Sequence, residues 1–236
     1  MNTDTEARAL EAARPPEPPS ATRGALRASG ILAAYALVFT ALMSFAHQMT
    51  LPRILASIQE TRMRLIDEVL PRTTYDNELL DDGVSVTGAA VSRVWRARLG
   101  NKPAALVFET SAPDGYGGRI ELVVALNIDG SVSGARVTAH HETPGLGDYI
   151  DPKKDGDKKT PWITQFTGVQ TATLTPAQWT TSKDGGVFAY RAGATISARA
   201  VTRAIGAALS WAGAHREALF AAPADARLDA EGNWQP

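Results

Sequence analysis

The 236 residues carry 24 Lys plus Arg against 25 Asp plus Glu, a formal net charge of −1. That balance gives no field for gathering nucleic acid, so no nucleic-acid partner is expected. The chain has no cysteine, which excludes disulfides, thiolate nucleophiles and cysteine-ligated metal or iron–sulfur centres, and leaves redox work to an organic cofactor or a His/carboxylate site.

Residues 1–24 read as a disordered cytoplasmic tail, because Pro15, Pro16, Pro18 and Pro19 sit among Ala, Glu, Ser and Arg with little to bury. From Ala28 to Pro52 there is no Asp, Glu, Lys or Arg. A helix over that stretch would reach about 37 Å, enough to cross a bilayer core with some tilt. Arg27 and Arg53 bracket it. The segment is apolar on every face, unlike the half-buried helix of a soluble domain. No small-x-small cleavage site follows it, which argues for an uncleaved anchor in membrane lipid over a removed signal. A transmembrane helix is expected over 25–50. Arg14, Arg23 and Arg27 on one side balance Arg53, Arg62 and Arg64 on the other, so the charge count leaves orientation open.

A juxtamembrane stalk helix is expected over 51–71. Ile54, Leu55, Ile58, Leu65, Ile66 and Val69 recur at helical spacing, and Pro71 stops it. The globular domain is expected over 72–222. Val91–Arg98 and Ala104–Thr110 read as strands around Gly100-Asn101. Ile120–Ile128 and Val132–Ala139 read as a second hairpin around Asp129-Gly130. A Gly-rich turn, Asp114 to Gly118, lies between the hairpins. Asp151–Lys159 alternates acids and lysines and reads as a solvated loop. Pro161–Phe166 reads as a short helix capped by Thr160. A long helix is expected from about Ile196 to Ala221, ended by Pro223, with residues 223–236 as a C-terminal tail. Hairpins followed by a terminal helix make an α+β domain.

Two loops have the composition of a binding site. His140 to Asp148 packs Pro144, Gly145 and Gly147 into a tight turn after a strand, where backbone amides can approach a ligand. The same composition serves a plain connection. Gly193-Ala194-Thr195-Ile196-Ser197 stands directly before the long helix, where free amides and the helix dipole favour a phosphate. Thr195 or Ser197 would equally be an ordinary N-cap. Adjacent His140 and His141 point apart on a strand and do not suit one metal ion, so no metal site is expected. There is no Walker loop and no nucleophile elbow.

Four segments occur in an order that carries a resemblance: Asp114-Gly-Tyr-Gly-Gly-Arg-Ile-Glu-Leu122, Glu142-Thr-Pro-Gly-Leu-Gly-Asp-Tyr-Ile150, Pro161-Trp-Ile-Thr-Gln-Phe166 and Asp184-Gly-Gly-Val-Phe-Ala-Tyr-Arg-Ala-Gly-Ala-Thr-Ile-Ser197. With the N-terminal span, they resemble the FMN-binding domain family and, within it, the G-subunit family of the Rnf (or Rsx) ion-translocating electron-transport complexes. The likeness covers roughly residues 28–220. It implies FMN joined through its phosphate to Thr195, in a motif of the form Asp-x-x-Ser/Thr-Gly-Ala-Thr. Here Ala189 and Ala192 stand at the Asp and Ser/Thr positions, while Gly193, Ala194 and Thr195 are intact. The implied contacts to the cofactor come from Gly193, Ala194, Ile196, Ser197, Glu142, Thr143, Pro144, Gly145, Leu146, Gly147 and Tyr116. The implied role is an electron relay, not catalytic alone, in an inner-membrane complex. Its partners would be the other subunits and a flavin transferase, with the domain on the periplasmic side. A second reading within the family is the C subunit of a sodium-translocating NADH:quinone reductase. A reading from another class is a scaffold subunit that takes no flavin.

Overall fold

A computed structural model describes residues 21–235 and divides the chain into two compact units, one ending at Ser57 and one starting at Ile58. The tail expected over 1–24 lies outside the described residues up to residue 20. Residues 21–24 already belong to helix α1, Ala21–Asp67.

In the first unit, α1 is apolar around its circumference. Leu32, Tyr35, Phe39, Leu42 and Phe45 are all more than half exposed, as a helix bathed in lipid requires. It is the one helix among the described residues that is long and apolar enough to cross a membrane. Pro52 lies inside it. Proline donates no amide hydrogen. Just before it, the Thr50 hydroxyl bonds back to the Ala46 carbonyl at 2.9 Å.

The second unit is built on seven strands: β1 (Gly83–Val86), β2 (Val91–Leu99), β3 (Lys102–Gly115), β4 (Gly118–Asn127), β5 (Val132–Ala139), β6 (Arg227–Leu228) and β7 (Trp234–Gln235). They form one sheet in the order β5-β4-β3-β2-β1-β6-β7, antiparallel except where β1 meets β6. The two expected hairpins are thus one meander. The Gly-rich turn between them is itself the β3–β4 hairpin, with Gly115 paired to Gly118. β1, β6 and β7 were not legible in the sequence, and the stretch expected as a C-terminal tail supplies the last two.

Both faces of the sheet are covered, and this explains the unbroken apolar run Leu122-Val123-Val124-Ala125-Leu126, all buried. Alternate residues serve opposite cores. Leu106, Phe108, Leu122 and Val124 meet helix α2 (Thr195–Ala214) through Val201, Ile205 and Leu209. Val107, Val123 and Ala125 meet Ile66, Val69, Leu70 and Tyr75. The C-terminal part of the expected stalk is therefore core of the second unit, with Arg136 on β5 bonded to Glu68 at 3.1 Å.

The long terminal helix is two helices. α2 ends at Ala214 and α3 spans Arg216–Ala221, with His215 between them at ψ 13°. The His215 ring stacks on Trp211 with centroids 4.5 Å apart, and its Nδ1 lies 2.9 Å from the Trp211 carbonyl. Buried Arg96 on β2 donates to the Leu219 and Ala222 carbonyls and pairs with Asp82. It thereby satisfies carbonyls that the end of α3 would otherwise leave open.

Two loop expectations are corrected. Thr160 caps no helix. Its hydroxyl goes to Asp157 at 2.6 Å, and the turn Trp162–Phe166 is a 3₁₀ helix starting after Pro161. The loop Asp151–Lys159 is not simply solvated, because Asp155 is fully buried.

Candidate functional site

α2 begins at Thr195. Ala194 precedes it, and no side chain caps it. Its first-turn amides have no intrahelical acceptor and remain donors for something else, at the positive end of a 20-residue helix. Gly193 has φ +89°, and the space where its side chain would stand is open. The approach to those amides is thus lined by bare backbone.

In front of this helix end lies a cavity of about 250 Å³, lined by Tyr116, Glu142, Thr143, Leu146, Gly147, Gly193, Ala194, Ile196 and Ser197. These come from three separate places: the β3–β4 turn, the loop after β5, and the start of α2. All nine are among the twelve residues singled out from the sequence. Pro144 and Gly145 are exposed in the same loop but are not on the lining. Thr195 is half-buried between the lining residues Ala194 and Ile196 and is likewise off the lining.

Glu142 holds the three places together. Its Oε1 accepts the Gly117 amide at 3.0 Å, and its Oε2 accepts the Ser197 hydroxyl. Gly147 passes so close that an added Cβ would stand 2.6 Å from Glu142 Oε2 and 2.7 Å from Ser197 Oγ. No side chain larger than hydrogen fits there without movement. Ser197 is thus neither solvent-facing nor an N-cap; it is buried and bonded to Glu142. The mouth is apolar: Tyr116, Leu146 and Ile196 are 69%, 55% and 44% exposed. A planar aromatic ligand would cover such side chains.

A second cluster, missed by sequence reading, fixes the segment leading into Thr195. Buried Asp155 accepts the Trp162 amide at 2.6 Å and the Asp157 amide at 3.0 Å, and it pairs with Arg191. Burial works against its charge, but those amides and the guanidinium outweigh it and hold the carboxyl below the usual range. Arg191 also lies over the Tyr149 ring, 4.8 Å from its centroid. The Ala189 carbonyl accepts Trp162 Nε1 at 2.7 Å, and the Ala189 amide donates to Gln165 at 2.7 Å. The available signal was the acid-rich loop itself: one acid there has no reason to be buried unless it meets a cation elsewhere in the chain.

Past Thr195, Arg199 forms a two-pronged pair with Asp184, both bonds 2.7 Å. The hydrogen bonds from Arg199 and Thr181 pull the Asp184 carboxyl down to about 2.

Two family models match the chain: the FMN-binding domain over residues 115–210 and the RnfG N-terminal region over residues 22–69. Curated relatives are named as the G subunit of an ion-translocating oxidoreductase complex. The one from Pseudomonas aeruginosa strain UCBPP-PA14 is 40% identical over 205 residues, covering 84% of this chain and 94% of the relative. The one from Escherichia coli strain K12 is 41% identical, covering 76% of this chain and 87% of the relative. The one from Shewanella loihica is 34% identical over 89% of this chain and 99% of the relative. With likeness of that depth running through both the apolar helix and the domain that carries the cavity, the chain belongs to the family of G subunits of ion-translocating oxidoreductase complexes.

Proposed function

We propose that this chain is a membrane-anchored flavoprotein subunit that carries FMN covalently on Thr195 and relays electrons within a redox-driven ion-translocating complex. The observation that carries the reading is the uncapped first turn of α2, with Thr195 at its head, opening beside a cavity walled by three of the four segments that carry the family resemblance. The residues present fit the group. Bare backbone at Gly193 and free first-turn amides suit a phosphate. The exposed apolar surfaces of Tyr116, Leu146 and Ile196 suit a flat ring. At about 250 Å³ the cavity is smaller than the roughly 300–1,000 Å³ of a full ligand cleft. It takes part of the cofactor and leaves the rest at the surface, where a partner subunit can reach it. Bound FMN supplies reversible electron uptake that no side chain of this chain provides.

The protein's own contribution is positional. Asp155, Arg191, Trp162 and Gln165 hold the backbone ahead of Thr195, so the shape of this segment does not depend on side chains at Ala189 and Ala192. The anchor helix brings the domain to membrane partners. The subunit is proposed to act with the other subunits of the complex and, during maturation, with a flavin transferase. The proposed location is the inner membrane with the domain in the periplasm, and the proposed division is a span over 25–50 and a stalk from 51 that merges into the domain, whose core already includes Ile66, Val69 and Leu70.

Intact mass of the full chain, produced with its flavin transferase, tests the assignment. The expected result is the mass of one esterified FMN, absent in Thr195→Ala while that variant stays folded. A parent chain without added mass would favour the scaffold reading, and flavin retained by Thr195→Ala would place the attachment elsewhere.

A further inference from the structure

Glu142 is only 4% exposed and forms part of the cavity wall. Two neutral donors hold its oxygens, the Gly117 amide and the Ser197 hydroxyl, while its own amide lies 3.1 Å from His140 Nδ1. Among the described residues no lysine or arginine forms an ion pair with it. The neighbouring arginines are engaged elsewhere, Arg191 with Asp155 and Arg199 with Asp184. The carboxylate is therefore oriented without being neutralised.

A neutral side chain could make the same links. A glutamine would accept the Gly117 amide with its oxygen and meet Ser197 with its NH₂. What the carboxylate adds over glutamine is charge, and a buried charge without a counter-ion is costly to keep. The close passage of Gly147 beside Glu142 Oε2 and Ser197 Oγ keeps the arrangement compact.

We infer that Glu142 is a fixed negative charge that holds down the reduction potential of the redox group seated in this cavity. The inference rests on the flavin reading of the cavity. A cavity of this volume is on the order of 8 Å across, within one Debye length at physiological salt. Any group inside it therefore feels the carboxylate through a medium less screening than water. A negative charge there opposes the arrival of electrons and favours the proton that follows them. For a relay subunit, a low potential suits an electron donor of low potential and keeps the transfer to the next partner downhill.

The test is a reductive titration of full-length, FMN-loaded protein in detergent. Each dithionite, with two waters, gives two electrons to one flavin and leaves as two sulfites, releasing the protons that the reduced ring takes up. The midpoint of Glu142→Gln is expected to move to a more positive potential. At the poise where the parent is half reduced, the reduced-to-oxidised ratio is expected to rise on the order of tenfold. Glu217→Gln, the same charge change on α3 away from the cavity, is expected to leave the midpoint in place. Ser197→Ala removes one donor that shields the carboxylate and leaves the carboxylate itself in place, so its midpoint is expected to move in the opposite direction, more negative. An unmoved midpoint in a flavin-loaded Glu142→Gln protein overturns the inference alone. If Glu142→Gln loses flavin or fold, Ser197→Ala decides: a more negative midpoint supports the inference and an unmoved one overturns it. A parent chain without flavin overturns this inference and the flavoprotein reading together.

Discussion

Tyr149 and Arg191 are joined twice: the guanidinium lies over the ring at 4.8 Å, and the Arg191 amide donates to the Tyr149 hydroxyl at 3.1 Å. The same hydroxyl donates to the Ala194 carbonyl at 3.4 Å. One buried side chain thus spans the turn that precedes Thr195. Burial pushes its hydroxyl above the ordinary tyrosine range, with the Arg191 amide and charge working the other way, so it stays a protonated donor. Tyr149→Phe keeps the ring and removes both bonds. The expected cost is about 1–2 kcal/mol of stability, with slower flavin loading because Thr195 is presented less uniformly. Thermal melting of the full chain and a mass time course with the transferase measure the two effects separately.

Asp155→Asn leaves Arg191 without its charge partner and turns one carboxylate oxygen into an NH₂ donor, so the Trp162 and Asp157 amides, which bond to different oxygens, can no longer both be accepted. Because Arg191 is 42% exposed, water takes up part of the loss. The expected destabilisation is about 1–3 kcal/mol. Flavin loading should slow more than in Tyr149→Phe, since the ion pair anchors the loop from outside the turn. Equal loading rates in Asp155→Asn and the parent would show that this cluster does not present Thr195.

Gly147→Ala drives a methyl group to 2.6 Å from Glu142 Oε2 and 2.7 Å from Ser197 Oγ. Overpacking of this kind costs about 1–3 kcal/mol. The Glu142–Ser197 bond should break first, because both ends lie in the path of the methyl. The expected outcome is a lower melting temperature and weaker quenching of the bound flavin's fluorescence, read on the same sample.

Asp184 gives an acid-side signature. Its carboxyl is depressed in the folded chain to about 2 by hydrogen bonds from Arg199 and Thr181, against roughly 3.9 for an unperturbed aspartate. A depressed carboxylate contributes stability that is present above its unfolded value and lost as pH falls through the folded one. The loss from this group should therefore run from about pH 4 down to about pH 2. Asp184→Asn should remove that portion of the pH dependence and leave the curve above about pH 5 parallel to the parent's. Melting temperature against pH for both chains checks it.

Topology is tested by protease. With the domain on the periplasmic side, a protease added to the cytoplasmic face of inverted vesicles should leave residues 75–236 intact. Digestion of that region would reverse the assignment.

The sequence carried the hairpins legibly, because alternation and turn residues are local: Gly100-Asn101 and Asp129-Gly130 sit at the tips where they were read, between β2 and β3 and between β4 and β5. It also carried the site segments, through a likeness spread over four stretches and not through any one of them. It did not carry β1, β6 or β7, which are short and owe their pairing to partners far along the chain, as in Ser85 beside Arg227. The break at His215 was hidden for a similar reason: the apolar spacing runs on past Ala214, and the interruption goes with the His215 ring folding back onto Trp211, while Arg96 reaches across from the sheet to close the far end of α3.

What the sequence determined by itself is whatever depends on neighbours in the chain: an apolar stretch without charge, alternating strands, and a Gly-Ala-Thr at a helix start. What only the tertiary structure decided is which side chains meet. Glu142 joins Gly117 and Ser197 from positions 25 and 55 residues away. Asp155 leaves an apparently solvated loop to pair with Arg191, 36 residues on. Burying a carboxylate is unfavourable until its donors are in place, and those donors are assembled only when the sheet has formed and α2 has docked on it.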